Sequence, residues 1–176
     1  LIGNPKLKVG SSHAKISSKN EELNKLLKKI NSLNCNLKDI ATNSVFSDGN
    51  NNSKIMLIGE APGAEEDRQG KPFVGKAGRL LDKMLKFISL DRKKNFYVTN
   101  LVFWRPPGNR VPTNQEIKIC LPITRLHIKI INPSVLILLG GVSSKAILER
   151  TEGIAKLRVD THRYIDEENS IDIPAR

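Results

Sequence analysis

Between Lys54 and Leu148 the chain alternates short apolar runs with segments of helical period. "KIMLIG" (54–59) is an unbroken apolar run closed by a glycine, the pattern of a buried strand. Leu80, Leu81, Met84, Leu85 and Ile88 recur at helical spacing and line one face of a predicted helix. "FYVTNLV" (96–102) predicts a second strand. "PTNQE" (112–116) opens the next helix, with Thr113 as N-cap and Glu116 three residues on, a capping box. Ile117, Leu121 and Ile128 then point inward, and Pro122 is expected to kink the helix. "SVLILLGG" (134–141) predicts a third strand, followed by a short helix from Ser143 to Leu148.

Upstream the pattern weakens. Leu23, Leu26, Leu27 and Ile30 predict an amphipathic helix over Glu21 to Leu33, and the Asn-, Ser-, Asp- and Gly-rich stretch from Asn34 to Lys54 reads as a loop. Residues 1–20 are polar and without period. They read as a flexible N-terminal arm, leaving 21–176 as a single domain. Strands alternating with helices imply an α/β fold: a parallel sheet covered by helices on both faces. In such folds ligands bind beyond the C-terminal ends of the strands. That rule selects three loops, Gly59–Gly78, Asn100–Pro112 and Gly140–Ser144.

Composition narrows the classes. With 39% hydrophobic and 27% charged residues among 176, the chain suits one globular domain. No apolar stretch reaches membrane-span length, and no secretory signal is visible, so a cytoplasmic protein without membrane contact is expected. The first residue is Leu1, so the natural start is expected upstream. A formal charge of +11 favours a polyanionic partner, nucleic acid first; the alternative is a uniformly lysine-rich background. Cys35 and Cys120 are far apart in sequence and form no CxxC pair, which reads as two reduced thiols.

The first loop, "GEAPGAEEDRQGKPFVGKAG", is too long for a connecting turn. Its glycines let backbone approach a ligand, and their N–H groups can bind an oxygen acceptor. Glu60, held at the strand end, either orients water and stabilises positive charge or pairs locally with Arg68. Phe73 either stacks on a base or packs beneath the loop. Asn100 offers an acceptor and two donors, matching a pyrimidine edge, or else simply forms a turn. Arg105, Asn109 and Arg110 in "WRPPGNRVP" suit phosphate contacts, in a loop stiffened by prolines. Neither G-x-G-x-x-G nor a P-loop occurs.

Together, "KIMLIGEAPGAEEDRQGKPFVGKAGRLLDKML", "FYVTNLVFWRPPGNRVPTNQEIKIC" and "INPSVLILLGGVSSKAIL" resemble the uracil-DNA glycosylases of family 4, over about residues 31–160. The resemblance implies a three-layer α/β/α sandwich on a short central parallel sheet of four strands, and a monomeric enzyme of base excision repair that hydrolyses the N-glycosidic bond of uracil in DNA. It implies Glu60 and Asn100 as catalytic residues. It implies a uracil pocket of Gly59, Ala61, Pro62, Gly63, Phe73 and Asn100, and DNA contacts from Arg105, Asn109, Arg110, Ser143 and Ser144.

Two departures stand against that pattern. The family carries four cysteines around a [4Fe–4S] cluster. Here Ser32 and Trp104 occupy two of those positions and only Cys35 and Cys120 remain, so no cluster and no metal are expected. The family's late His-Pro motif, whose histidine stabilises the departing base, is also missing. His13, His127 and His162 do not precede proline; His127 is expected as a surface or helix residue, and His162 lies in a polar stretch where the family has a return strand. "SIDIPAR" falls where the final strand should follow, so the last sheet strand is expected to be partial or missing and the domain shortened at its C-terminus. The alternatives are a non-catalytic DNA-binding remnant and a small-molecule nucleotide hydrolase.

Overall fold

A computed structural model describes the backbone of residues 10–176, with side chains from residue 18 onward. The elements in chain order are α1 (Gly10–Asn31), α2 (Asn36–Ile40), β1 (Ser47–Gly49), β2 (Ile55–Gly59), α3 (Ala64–Gln69), α4 (Lys76–Phe87), β3 (Phe96–Asn100), α5 (Asn114–Ile131), β4 (Val135–Leu138), α6 (Gly141–Leu148), α7 (Ile154–Leu157), β5 (His162–Asp166) and β6 (Ile171–Ala175). The six strands form one sheet in the order β1-β3-β2-β4-β6-β5. The four inner strands β3, β2, β4 and β6 are parallel, and β1 and β5 pair antiparallel at the edges. This is the expected α/β sheet, with its edges extended by two short strands.

Strand period sorts the core onto two faces. Met56 and Ile58 of β2 pack with α1, α5 and α6 through Leu26, Ile30, Ile123, Ile128 and Ile147. Leu57 faces the other way, with Phe96, Val98 and Leu85 of α4. Burying each such aliphatic side chain contributes about 1.5–3 kcal/mol. α5 begins at the expected capping box: Thr113 Oγ1 accepts from the Glu116 N–H, and Glu116 Oε2 accepts from the Thr113 N–H. The helix continues through Pro122, whose ring lies on the exposed side. Ile128 is buried, and Ile117 and Leu121 are half-buried.

Three expectations need correction, and one is met in part. Residues 10–20, read as arm, extend α1, because a helix once nucleated runs on through residues with no apolar period. Lys19 ties this part down, its Nζ donating to the carbonyls of Asn51 and Ile131. Residues 1–9 of the expected arm lie outside the described residues. The loop of 34–54 contains α2 and β1; "SDG" has no alternation and owes its strand geometry to pairing with β3. The last parallel strand is partial, as expected: β6 meets β4 through one register pair, Leu136 opposite Ala175. The Arg176 N–H donates to the Leu136 carbonyl at 3.0 Å and the Leu138 N–H to the Arg176 carbonyl at 2.6 Å, so β4 has no open edge there. Finally, His127 is fully buried rather than on the surface, stacked on Phe46 at 4.7 Å with Nε2 2.7 Å from the Tyr97 hydroxyl. Among the described residues, no helix is long and apolar enough to cross a membrane.

Candidate active site

The C-terminal ends of β2 and β3 lie side by side, with Gly59 opposite Asn100. The chains stay together past the strand ends, as the N–H groups of Leu101 and Val102 donate to the carbonyls of Gly59 and Glu60. Two side chains converge over Gly59. A Cβ there would lie 2.4 Å from Phe73 Cζ and 2.5 Å from Asn100 Oδ1, so only glycine leaves room for both. The first loop therefore folds back until Phe73 reaches the end of the strand it left.

Asn100 is 2% exposed, yet its amide makes no hydrogen bond to any described residue. Its donors and acceptor are left for something entering beside Phe73. Glu60 is half-buried at the rim and likewise has no side-chain partner among the described residues. Burial raises its carboxyl pKa above the ordinary value. Ala61 is half-buried and Pro62 buried, and Gly63 is the N-cap of α3.

Phe73 is held in a conformation that non-glycine residues seldom adopt, with φ at 55°. Two charged residues that the sequence did not single out fix it. Glu66 Oε1 accepts from the N–H groups of Val74 and Gly75, at 2.9 and 2.7 Å. Arg92 donates to the carbonyls of Pro72 and Phe73, at 2.9 and 2.8 Å, and is itself braced by Asp82 and Asp48. Gly78 completes the clamp, since a Cβ there would lie 1.9 Å from the Phe73 carbonyl oxygen. The available signal was a string of charges, "EED" and "DRKK", which reads as an ordinary solvated surface.

The expected DNA contacts divide. Arg105 is half-exposed and its Nε donates to Asn109 Oδ1 at 2.7 Å, which leaves the rest of the guanidinium free at the loop tip. Arg110 is committed instead. Its two terminal nitrogens bond both oxygens of Glu116 at 2.9 and 2.7 Å. Ser143 and Ser144 turn their hydroxyls back onto the Gly140 carbonyl at the start of α6.

Cys35 and Cys120 are both buried and reduced, and they meet in one core. Burial pushes the Cys120 thiol up to about 12. Ser32 is exposed, with its hydroxyl on the Lys29 carbonyl, and Trp104 is 2% exposed with its ring edge-on to Phe103. Two thiols, an outward serine and a packed indole do not fit a four-thiolate cluster. Among the described residues, no group of three or more His, Cys, Asp or Glu is placed to hold a metal ion.

The sequence profile of the Uracil DNA glycosylase superfamily matches residues 46–171. The type-4 uracil-DNA glycosylase of Sulfurisphaera tokodaii is 39% identical over 141 residues, 78% of this chain and 64% of its own length. That of Pyrobaculum aerophilum is 40% identical over 129 residues, 73% of this chain and 64% of its own. A DNA polymerase of Bacillus phage SP01 is 32% identical over 122 residues, 13% of that protein. The chain thus spans just under two thirds of the length of the type-4 relatives it matches. The matched segment runs from β1 to β6 and includes Gly59, Glu60, Phe73 and Asn100; with this sheet and this match, the chain belongs to the uracil DNA glycosylase superfamily.

Proposed function

We propose that this protein is a DNA-repair glycosylase that hydrolyses the N-glycosidic bond of uracil in DNA, and that it works without an iron–sulfur cluster. The observation that carries the reading is the nearly buried, unpartnered amide of Asn100 beside the Phe73 ring over Gly59. The residue is 2% exposed, but its amide is not among the fully buried polar atoms left without a partner, so the amide tip stays open to a ligand. Uracil presents a carbonyl next to a ring N–H, which takes the amide N–H as donor and the amide oxygen as acceptor. Its flat ring stacks on Phe73, which contributes about 1–3 kcal/mol.

The base must leave the helix stack to reach this ledge. Arg105, on the next loop, would hold a flanking phosphate with the part of its guanidinium that Asn109 does not take. As the bond from C1′ to the base nitrogen breaks, positive charge grows on the sugar and negative charge on uracil. Glu60, ionised, stabilises the sugar and orients water for attack at C1′. The water oxygen bonds C1′, one of its protons leaves, and uracil takes up a proton. The products are free uracil and an abasic site. Asn100 donates to the departing anion. Neither His127, in the core on Tyr97, nor His162, whose Nε2 lies 2.8 Å from the Leu157 carbonyl, is free to assist. Turnover is therefore expected to be slow.

The test is uracil release from a single-stranded oligonucleotide by this chain, beside Glu60→Ala. Release that vanishes in the variant supports the reading. If folded protein releases nothing yet binds DNA with a steep salt dependence and no preference for uracil, it is a binding remnant instead. Release from free dUMP with no need for DNA would point to a nucleotide hydrolase.

A further inference from the structure

α4 turns only part of its apolar surface to the sheet. Leu85 is 8% exposed and Leu81 is half-buried against Leu57, Phe96 and Val98. The remaining apolar residues of the sequence pattern are not core. Leu80 is 59%, Met84 61%, Phe87 90% and Ile88 66% exposed. At 3.6 residues per turn these four share one continuous ridge, spaced i, i+4, i+7 and i+8, beside the buried stripe rather than within it. Their exposed surface is on the order of 500 Å², near the upper end for a patch on a monomer.

The charges around the ridge are one-sided. Lys76, Arg79, Lys83 and Lys86 all project along its outer border and are exposed. The one carboxylate on the helix, Asp82, is tied to Arg92 by three bonds of 2.9–3.1 Å and does not offset them. Lys83, Lys86 and Phe87 border an open surface hollow at the end of the ridge. A second copy of this chain is a poor occupant. Two such ridges would bury on the order of 1,000 Å² together, short of a stable interface, and would bring two rows of cations into contact.

We propose that the α4 ridge is a docking surface for an amphipathic helix of a partner protein, one with an aliphatic face and carboxylates along one flank. The aliphatic face would pack between Leu80, Met84 and Ile88, with Phe87 inserting at its end, as in other helix-to-groove contacts. The carboxylates would lie along Lys83 and Lys86, setting orientation and rejecting basic helices. This surface is on the opposite sheet face from α5 and α6 and does not depend on the glycosylase reading.

The test is fluorescence anisotropy of a labelled synthetic helix of about 18 residues, leucine-faced with glutamates along one flank, against this protein. Micromolar binding is expected, weakened about tenfold when lysines replace the glutamates and about tenfold by the double variant Met84→Ser, Phe87→Ser. Both positions are exposed, and circular dichroism confirms that the variant folds. Equal binding of the acidic and basic helices, or binding that survives the double variant, overturns the proposal. So does sedimentation showing a dimer that the double variant disperses, since the ridge would then belong to a second copy.

Discussion

Glu116 sits at a junction of three chain segments. Its carboxylate takes two bonds from Arg110 of the proline-rich loop, one from Asn36 of α2 and one from the N–H of Thr113 at the start of α5. The residue is 1% exposed, and the Arg110 guanidinium beside it is the main reason its pKa falls to about 2. An unfolded glutamate titrates near 4.3, so the shift corresponds to about 3 kcal/mol at neutral pH. The Arg110 side chain is 40% exposed, and solvent screening reduces the expected figure to about 2 kcal/mol. Because the folded pKa is depressed, this stability is complete above the unfolded pKa and is lost as pH falls from about 4.5 to about 2. Glu116→Gln keeps the shape and part of the hydrogen bonding but removes the charge. Followed by circular dichroism at pH 7, its Tm should drop by roughly 4–8 °C for a chain of this size. The gap from the parent should close as the pH falls to 2, because the parent then loses the same charge. A gap that is absent at pH 7, or that stays constant down to pH 2, would refute the assignment of this junction to charge.

Gly59→Ala should abolish uracil release with little change in Tm, because the new methyl group meets the tips of Phe73 and Asn100, which lie 2.4 and 2.5 Å away, rather than backbone; an active variant would show that these groups do not meet over a bound base. Arg92→Ala should cost about 2–4 kcal/mol in urea unfolding and raise KM more than it lowers kcat, since it frees the Phe73 carbonyl and leaves Asp82 and Asp48 unpaired. The acid limb of a pH–rate profile should lie above the ordinary glutamate range, because burial keeps Glu60 protonated to higher pH and only the ionised form assists the sugar. His127 has its pKa lowered to about 3 by burial, so the fold should lose stability as pH falls from about 6.5 towards 3, and His127→Phe should flatten that part of the unfolding profile measured by fluorescence.

The parts of the fold that were legible in the sequence are those whose pattern and packing agree. β2, β3 and β4 were visible as apolar runs because they are inner strands shielded on both faces. The start of α5 was visible because a capping box is a local device. The apolar pattern did not show β1, β5 or β6, and only the resemblance pointed to strands near His162 and "SIDIPAR", since "SDG", "HRYID" and "IDIPA" gain their geometry from pairing with other strands. On α4 the reading gave the helix but not its burial. Periodicity found a continuous apolar surface but could not say how much of it the sheet covers, and half of it faces outward. In the site, Gly59, Phe73 and Asn100 could be named from loop position. Glu66 and Arg92 could not, because nothing in the sequence tells a carboxylate that receives two backbone N–H groups from one that faces water.

The region where a cluster would be expected makes the same point in energetic terms. A cluster joins distant cysteines and so holds the loops that carry them. Around Cys35 and Cys120, Trp104 and Phe103 pack in the core, and Glu116 joins α2, the proline-rich loop and α5 through a hydrogen bond from Asn36 and an ion pair with Arg110. The two devices differ in what breaks them. Thiolate ligation fails on oxidation or loss of metal, whereas the Glu116 junction fails on protonation and weakens with salt only where Arg110 reaches solvent. The same bonds that hold the loop take Arg110 out of service for phosphate, leaving Arg105 as the loop's free guanidinium. A salt titration of DNA binding therefore separates the two arginines. Arg105→Ala should lower the slope by about one phosphate contact, whereas Arg110→Ala should leave the slope unchanged and reduce Tm.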